Sequence, residues 1–340
     1  MKKSILYIGN KLSKHGNTPT SVESLGKLLA QDYPIITVSD KKNKVFRLFD
    51  MLYSIVRNRS NTSLILIDTY STSNFYFAFL CGALAKVLRI KYIPILHGGN
   101  LPHRLINSAK MSKSLFGNAQ FNIAPSGYLY EAFNEKGYKT EYIPNNVDIS
   151  EYEYKARRNT GLKLLYVRAI SKIYNPRLAI EVVSELYKTY PDVELCMVGP
   201  DRDGTLQELK ALVQERGLEK NVNFLGKLEK PEWIKLSKEY DIFINTTNFD
   251  NTPVSIIEAM ALGFPIVSTN VGGLPFLIED TKDGFLINPN DSEEMTRKIK
   301  YIYNNPDIAQ RLSLNARTKA ENFDWNKVRK NWKRTLDGLI

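Results

Sequence analysis

Short apolar runs alternate with helical patterns along almost the whole chain. The runs are three to six residues long and rich in Ile, Leu, Val and Tyr, which is typical of strands covered on both faces. Six strands are predicted in the first half, at Ser4–Ile8, Ile35–Val38, Ser63–Asp68, Tyr92–Leu96, Phe121–Ala124 and Glu141–Ile143. Six more are predicted in the second half, at Leu162–Val167, Glu194–Val198, Val222–Leu225, Ile242–Asn245, Pro265–Thr269 and Gly284–Ile287.

Helical periodicity fills the intervals between these runs. In the second half helices are predicted at Asn175–Thr189, Leu206–Arg216, Pro231–Glu239, Val254–Leu262, Ser292–Asn304, Asp307–Glu321 and Trp325–Leu339. Two βαβ series in tandem predict the α/β class, with two Rossmann-like doubly wound domains. Because such domains bind ligands at the carboxyl ends of their strands, we expect the two to face a central cleft.

The alternation breaks once, at Pro144-Asn145-Asn146. We therefore expect a first domain over residues 1–146, a linker over 147–161 and a second domain over 162–322. The remaining residues, 323–340, are expected to form a helix that packs back on the first domain.

Composition and charge narrow the class of protein. The 340 residues are 43% hydrophobic and 24% charged, which is ordinary for a globular protein, and no apolar run reaches the roughly 20 residues that span a membrane.

Residues 1–146 contain 19 Lys or Arg against 8 Asp or Glu, whereas residues 147–340 contain 28 of each. The whole net charge of +11 therefore belongs to the first half, and favours an anionic partner such as nucleic acid, anionic lipid or a phosphorylated acceptor. A basic surface that only aids solubility is the alternative.

One basic segment, Lys41 to Arg59, has a strongly amphipathic helical pattern. Its apolar positions that share a face are Phe46, Phe49, Leu52, Tyr53 and Val56. Such a helix is a candidate for binding a membrane surface, or it packs this face on the sheet and leaves its charges in solvent.

The two cysteines, Cys81 and Cys196, are far apart in apolar surroundings, which indicates a reduced cytoplasmic protein.

The most informative motif is DNTPVSIIEAMALGFPIVSTNVGG, from Asp250 to Gly273. It places one carboxylate, Asp250, on a loop before a predicted helix and a second, Glu258, inside that helix. A carboxylate in an apolar helix needs a partner, and the helix N-terminus offers free N–H groups to phosphate. One acid for a sugar, one for a ribose and a helix end for the diphosphate indicate a nucleotide-sugar site. The alternative is a surface Asp and a solvent-facing Glu.

These residues resemble the retaining glycosyltransferases of family 4, which have the two-domain GT-B fold. The family pattern is a Glu, seven residues, a second Glu, then Ala-Met-Ala-x-Gly-x-Pro, a strand and Gly-Gly. The first Glu is replaced here by Asp250, which is one methylene shorter. The matching positions here are Asp250, Glu258, Ala259, Met260, Ala261, Gly263, Pro265, Gly272 and Gly273. Further pieces fit in order, at Pro144-Asn145-Asn146-Val147-Asp148, Phe224-Leu225-Gly226 and Asp241.

The resemblance implies a role for each matching residue. Glu258 would bind the ribose hydroxyls, Asp250 the donor sugar and Arg168 the donor diphosphate. Lys172 stands one residue before the family's lysine position, which is Ile173 here, and a loop shortened by one would still deliver it. The family's glycine before the arginine is also replaced here, by Val167. Donor-binding positions are further expected at Asn251, Thr252, Pro253, Val254 and Leu228, and in the first domain at Gly16, Gly98 and Gly99.

In the first domain the resemblance is weaker. His97, in the segment LHGGN, resembles the family's histidine near the transferred sugar, and a structural histidine beside a glycine turn is the alternative. Gly98 and Gly99 allow a close approach of the backbone. Gly16 alone corresponds to the family's glycine loop between the first strand and the first helix.

The implied activity is transfer of a sugar, with retention, from a nucleotide-sugar to a glycan or lipid-linked acceptor in surface polysaccharide biosynthesis, such as lipopolysaccharide or capsule. Arg and Lys would stabilise the leaving diphosphate, so no metal and no cofactor are expected. We expect a cytoplasmic protein, with a peripheral position on the inner membrane face as a candidate. A non-catalytic two-lobed protein that binds nucleotide-sugars or anions is the alternative. Nucleic acid is not expected as a partner, because no recognisable binding module is present.

Overall fold

A computed structural model describes residues 3–16 and 19–340. The chain divides into two compact units, Met1–Pro144 together with Val328–Ile340, and Asn145–Lys327. Each unit contains a parallel six-stranded sheet whose strands are connected through helices. The predicted α/β class with two doubly wound domains is therefore confirmed.

The first unit has strand order β2-β1-β3-β4-β5-β6. Its elements are β1 (Ser4–Ile8), α1 (Ser21–Leu29), β2 (Ile35–Val38), α2 (Lys44–Asn58), β3 (Thr62–Thr69), α3 (Asn74–Val87), β4 (Lys91–Leu96), α4 (Leu101–Asn107), α5 (Ala109–Phe116), β5 (Asn122–Ala124), α6 (Gly127–Glu135) and β6 (Thr140–Tyr142). All six strands coincide with predicted ones to within one residue at each end, because each is a short apolar run bounded by turn residues.

The second unit has strand order β12-β11-β10-β7-β8-β9. Its elements are β7 (Lys163–Val167), α7 (Pro176–Tyr187), β8 (Glu194–Val198), α8 (Thr205–Glu215), β9 (Val222–Gly226), α9 (Lys230–Leu236), β10 (Ile242–Asn245), α10 (Val254–Ala261), β11 (Ile266–Thr269), α11 (Leu274–Leu277), β12 (Phe285–Ile287), α12 (Ser292–Asn304) and α13 (Pro306–Ala320). The order reverses between β7 and β10, and crevices at such reversals bind ligands in doubly wound sheets.

Side chains from the second sheet enter two separate cores. Along β7, Leu164 and Tyr166 join one hydrophobic cluster, and Leu165 between them joins the other. Both faces of the strand are therefore covered, which is why its sequence is continuously apolar rather than alternating. The longest helices have 15 residues. None in the described part of the chain is both long and apolar enough to cross a membrane.

The last helix, α14 (Trp325–Asp337), carries polar contacts to the first unit from Val328 onward. Arg329 donates to both carboxylate oxygens of Asp32, at 2.7 and 2.6 Å, and this interaction holds the pKa of Asp32 below its ordinary value. Thr335 donates to Glu141 at 2.8 Å. These contacts place the chain's C-terminal helix in the first unit, far in sequence from the rest of it.

A buried arginine, Arg157, organises the polar stretch that precedes β7. It is 3% exposed and donates to the backbone carbonyls of Leu262, at 2.5 Å, and of Tyr240, at 3.3 Å. Its Cζ lies 3.5 Å from the centroid of the Phe264 ring. The guanidinium thus donates to the carbonyl of Leu262, at the C-terminal end of α10, and to that of Tyr240, before β10.

Replacing Arg157 by Met should lower the free energy of unfolding by about 2–4 kcal/mol, because several buried carbonyls lose their donor. The neighbouring Arg158 is the matched control: its ion pair with Asp307, at 3.2 Å, is exposed, so Arg158→Met should change stability by about 0.5 kcal/mol or less. Urea denaturation measures both. Equal effects of the two substitutions would contradict the structural role of Arg157.

Candidate functional site

Two charged side chains of the second unit meet where its strand order reverses. Arg168 directly follows β7, and Asp250 lies on the loop between β10 and α10. Arg168 Nη2 donates to Asp250 Oδ2, and the two side chains are only 22% and 11% exposed. Burial raises the pKa of the Asp250 carboxyl, and the charge of Arg168 opposes that shift. The sequence predicted both residues as site residues, and the structure brings them together.

The backbone around Arg168 is held against β8. Its N–H donates to the Val198 carbonyl at 2.9 Å. Gly199, the residue directly after β8, has φ +154°. A Cβ at this position would lie 1.9 Å from the Arg168 carbonyl oxygen. Only glycine allows this approach. The Arg168 Cζ lies 4.3 Å from the ring centroid of Tyr174. This cation–π contact orients the guanidinium.

The Gly272-Gly273 pair positions Asp250. The Gly273 N–H donates to the Asp250 carbonyl at 3.0 Å. A Cβ on Gly272 would lie 2.1 Å from the Asp250 carbonyl oxygen, and one on Gly273 would lie 1.7 Å from that of Asn251. The glycine pair is therefore explained by packing: it lets the loop after β11 lie directly on the loop that carries Asp250.

Glu258 is held on α10, a largely buried helix, by two residues that the sequence analysis did not identify. Tyr152 donates its hydroxyl to Glu258 Oε1 at 2.6 Å, and Lys230 Nζ lies 3.7 Å from the same oxygen. Burial raises the pKa of the Glu258 carboxyl, while Tyr152 and Lys230 oppose the shift. The carboxylate is 13% exposed, so one part of it remains reachable.

A weak signal for Tyr152 was available in the sequence. It is a large aromatic residue within a stretch that otherwise reads as a polar linker, and it is 1% exposed. Lys230 gave no such signal, because it is a common surface residue at the start of α9. It also pairs with Glu151 at 2.7 Å and lies 4.9 Å from the ring centroid of Tyr152.

The segment between the two acids forms the entry to α10. Pro253 is the residue before the first helical turn, and no side chain caps the helix there. Asn251 is buried and Val254 is 39% exposed. The predicted Leu228 is partly buried against the cluster that contains α10. Asn251 and Pro253 thus lie between Asp250 and the first turn of α10, which begins at Val254 and whose backbone N–H groups lack intrahelical partners.

Lys172 does not join the Arg168–Asp250 pair. Its Nζ lies 3.3 Å from Glu208 on α8, and its side chain is 70% exposed. The residue at the family's lysine position, Ile173, is exposed as well. The predicted role of Lys172 thus requires its side chain to leave Glu208, and it stays a prediction.

The Asp201-Arg202-Asp203 segment forms a turn before α8. Asp203 accepts hydrogen bonds from Thr205 Oγ1, at 2.5 Å, and from the Lys172 N–H, at 3.0 Å. These and the bond from Ser171, at 2.8 Å, hold the pKa of Asp203 well below its ordinary range. Within residues 3–16 and 19–340, no group of three His, Cys, Asp or Glu side chains could hold a metal ion. Independence from metal stays a prediction.

In the first unit, His97 follows β4 and is held by a carboxylate at the end of β3. Its Nε2 lies 2.7 Å from Asp68 Oδ1, which also accepts from the Tyr7 hydroxyl at 2.8 Å. Asp68 was not identified from the sequence, because nothing local links it to His97. This contact with Asp68 fixes the orientation of the His97 ring.

The predicted glycines of the first unit differ in their surroundings. Gly98 packs tightly, since a Cβ there would lie 2.4 Å from the Ser71 nitrogen. Gly99 follows it in the turn before α4. Gly16 has φ +80° with open space where a Cβ would lie, so its backbone conformation, rather than packing, favours glycine.

Comparison with known proteins establishes the family. The family described as "Glycosyl transferases group 1" matches residues 150–319, half of the chain. An uncharacterized glycosyltransferase of Haemophilus influenzae is 31% identical over 46% of this chain and 44% of its own length. Alpha-monoglucosyldiacylglycerol synthase of Acholeplasma laidlawii is 27% identical over 58% and 48%. The chain thus spans about half the length of these curated relatives, and it belongs to the glycosyl transferases group 1 family.

Solved structures agree on the fold along the full chain. Alr3699/HepE of Anabaena, crystallised with UDP, has a TM-score of 0.79 at 19% identity and covers 99% of this chain and 100% of that one. Sucrose-phosphate synthase of Thermosynechococcus elongatus has a TM-score of 0.79 at 18% identity, with 99% of each chain covered. These similarities confirm the two-domain glycosyltransferase fold that the motifs predicted.

Replacing Gly273 by Ala should lower the free energy of unfolding by about 2–3 kcal/mol, because the Asn251 carbonyl must move to admit the methyl group. Gly338→Ala is the control, since a Cβ there has open space. Thermal or urea unfolding compares the two variants. A Gly273 variant as stable as the wild type would show that the two loops do not pack as described.

Proposed function

We propose that this protein is a glycosyltransferase that moves a sugar from a nucleotide-sugar to a hydroxyl group of a glycan or lipid-linked acceptor. The observation that carries the proposal is the Arg168–Asp250 pair beside the uncapped N-terminus of α10, at the strand reversal of the second unit. Cationic and N–H donors there suit a diphosphate, and a carboxylate suits sugar hydroxyls.

Each donor component then has a residue of matching chemistry. The diphosphate would bind Arg168 and the first N–H groups of α10, and the sugar hydroxyls would donate to Asp250. The ribose hydroxyls would donate to Glu258, whose position is fixed by Tyr152 and Lys230. Donor binding must replace the hydrogen bond between Arg168 and Asp250. Arg168 would then donate to the diphosphate, and Asp250 would accept from the sugar hydroxyls, so neither charge is left without a partner.

The proposed reaction retains the configuration of the anomeric carbon. The bond from that carbon to the diphosphate oxygen breaks, the acceptor oxygen bonds to the same face, and the acceptor proton passes to the leaving phosphate. Negative charge builds on the diphosphate as the sugar bond breaks, and Arg168 with the helix N-terminus would stabilise it. In this proposal neither a metal nor a cofactor takes part.

Donor and acceptor classes are proposed from chemistry and from the relatives. Structures of Alr3699/HepE contain UDP, UDP with glucose and UDP-glucose, so UDP-sugars are the first donors to test. For the acceptor we propose a growing or lipid-linked glycan of a surface polysaccharide, such as lipopolysaccharide or capsule. The location that follows is cytoplasmic, on the inner membrane face. By the same resemblance, His97 would act near the transferred sugar, and Gly16, Gly98 and Gly99 would bind the donor.

Arg168→Ala should lower the rate of sugar transfer by about 10²–10³-fold, because the leaving diphosphate loses its cation. Glu258→Ala should raise the donor KM by roughly 10- to 150-fold, the loss of a charged hydrogen bond of about 1.5–3 kcal/mol. Release of UDP from UDP-sugars, with and without a lipid extract as acceptor, measures both, and NMR of the product reports the anomeric configuration. Circular dichroism and melting curves check that each variant is folded.

A near-normal rate of transfer in a folded Arg168 variant, or an unchanged donor KM in a folded Glu258 variant, would refute the site assignment. Tight donor binding without turnover over any acceptor would favour the non-catalytic alternative. Lys172→Ala separates the two possibilities for that residue: a loss of rate similar to that of Arg168→Ala requires Lys172 to leave Glu208 in the working enzyme, and a normal rate confines it to the surface pair.

Tyr152→Phe should weaken UDP binding by roughly five- to thirty-fold, because Glu258 loses the hydrogen bond that fixes its carboxylate. Tyr187→Phe is the matched control, since that side chain is 38% exposed and lies on α7. Calorimetric titration with UDP compares the two. Unchanged UDP affinity in Tyr152→Phe would contradict the positioning role of Tyr152.

A further inference from the structure

The aromatic face of α2 points into solvent. Its five large apolar side chains are strongly exposed, and they share one side of the helix: Val45 60%, Phe46 68%, Phe49 65%, Tyr53 61% and Val56 45%. A helix that belongs only to a domain core turns its apolar face inward and its polar face outward. An exposed apolar patch of this kind marks a surface that binds something.

The opposite face of α2 shows that this orientation is fixed. Met51 and Ile55 are buried in the core of the first unit. Arg47, on the same side, is 4% exposed and donates to the Lys41 carbonyl at 3.2 Å. Ser39 donates to Asp50, the one acidic residue of the helix. Of the apolar face predicted from the sequence, Phe46, Phe49, Tyr53 and Val56 are therefore exposed, whereas Leu52 is partly buried against the core of the first unit.

Basic side chains surround the exposed face. The segment 41–59 contains six Lys or Arg and one Asp, and that Asp is engaged by Ser39. The exposed basic residues at the two ends of the helix are Lys41, Lys42, Lys44, Arg57 and Arg59. An apolar, aromatic centre with a cationic border complements a surface that is apolar below and negatively charged above.

We propose that this face of α2, formed by Val45, Phe46, Phe49, Tyr53 and Val56 with its basic border, docks on an anionic lipid bilayer. The apolar side chains would enter the boundary between headgroups and acyl chains, with the helix parallel to the membrane plane. The lysines and arginines would extend to the anionic headgroups. This inference rests on the proposed function only in that a lipid-linked acceptor gives the docking a purpose; the surface itself belongs to the first unit.

The test is flotation of the full chain with lipid vesicles. Vesicles of equal parts phosphatidylcholine and phosphatidylglycerol should bind the protein, and vesicles of phosphatidylcholine alone should bind it on the order of ten-fold less. Binding should weaken as salt shortens the Debye length below about 10 Å. Phe46→Ser with Phe49→Ser should reduce binding by on the order of ten-fold at constant charge.

Matched controls separate the face from general effects. Val87→Ser with Ile106→Ser removes two apolar side chains of the same unit that are 77% and 66% exposed, and vesicle binding should be unchanged. Lys42→Glu with Lys44→Glu should abolish the preference for anionic lipid. The same charge change at Lys210 and Lys220, exposed residues of the second unit, should not.

Three results would overturn the proposal. One is equal binding of the wild type to neutral and anionic vesicles, and another is undiminished binding by the Phe46/Phe49 variant. The third is a dimer that the same two substitutions dissolve, which would assign the face to a second copy of the chain. UDP titration of the Phe46/Phe49 variant and of the wild type separates the two proposals. Loss of vesicle binding with normal UDP binding in the variant bears on the α2 surface alone. Failure of the wild type to bind UDP bears on the transferase site alone.

Discussion

The bond between Arg168 and Asp250 is the interaction around which the second unit is arranged. A largely buried carboxylate and a largely buried guanidinium are each costly alone, and together they are tolerated. Gly199 brings the backbone of Arg168 onto β8, and Gly272 with Gly273 brings the loop of Asp250 onto the chain after β11. Three glycines therefore serve one purpose, which is to hold two opposite charges at the reversal of strand order.

The same reversal explains why the site is built from distant parts of the sequence. Arg168 follows β7, Asp250 follows β10, and Glu258 lies about one turn along α10, where Tyr152 from the segment before β7 contacts it. Parallel strands end at the same edge of a sheet, so their loops meet there. A donor that carries a diphosphate, a ribose and a sugar would touch all of these loops at once, and in this account it replaces internal contacts with its own.

The strands and most helices could be predicted from the sequence because each depends on a local pattern of apolar residues. Glu258 could be singled out from the sequence as well, since a carboxylate inside the apolar helix α10 conflicts with local rules, and Asp250 stands eight residues before it. Their roles in donor binding stay predictions. The direction of Lys172, the bond from Tyr152 and the pairing of Asp68 with His97 could not, because each depends on side chains far apart in the chain. Periodicity showed that Phe46 and Phe49 share one face of α2, but Met51 and Ile55 lie on another face that is also apolar. The contacts of Arg47 and Asp50 in the structure show which of the two faces packs on the core.

The most direct test of the donor site is a thermal-shift series with nucleoside diphosphates and their sugars, in the presence of EDTA. A ligand that binds only the folded state raises stability by about 2.7 kcal/mol at a concentration 100 times its Kd. The account predicts a clear rise in Tm with one nucleotide family, undiminished by EDTA and lost in Arg168→Ala and Glu258→Ala. No shift with any nucleotide in a protein that melts cooperatively, or the same shift in both variants, would contradict it.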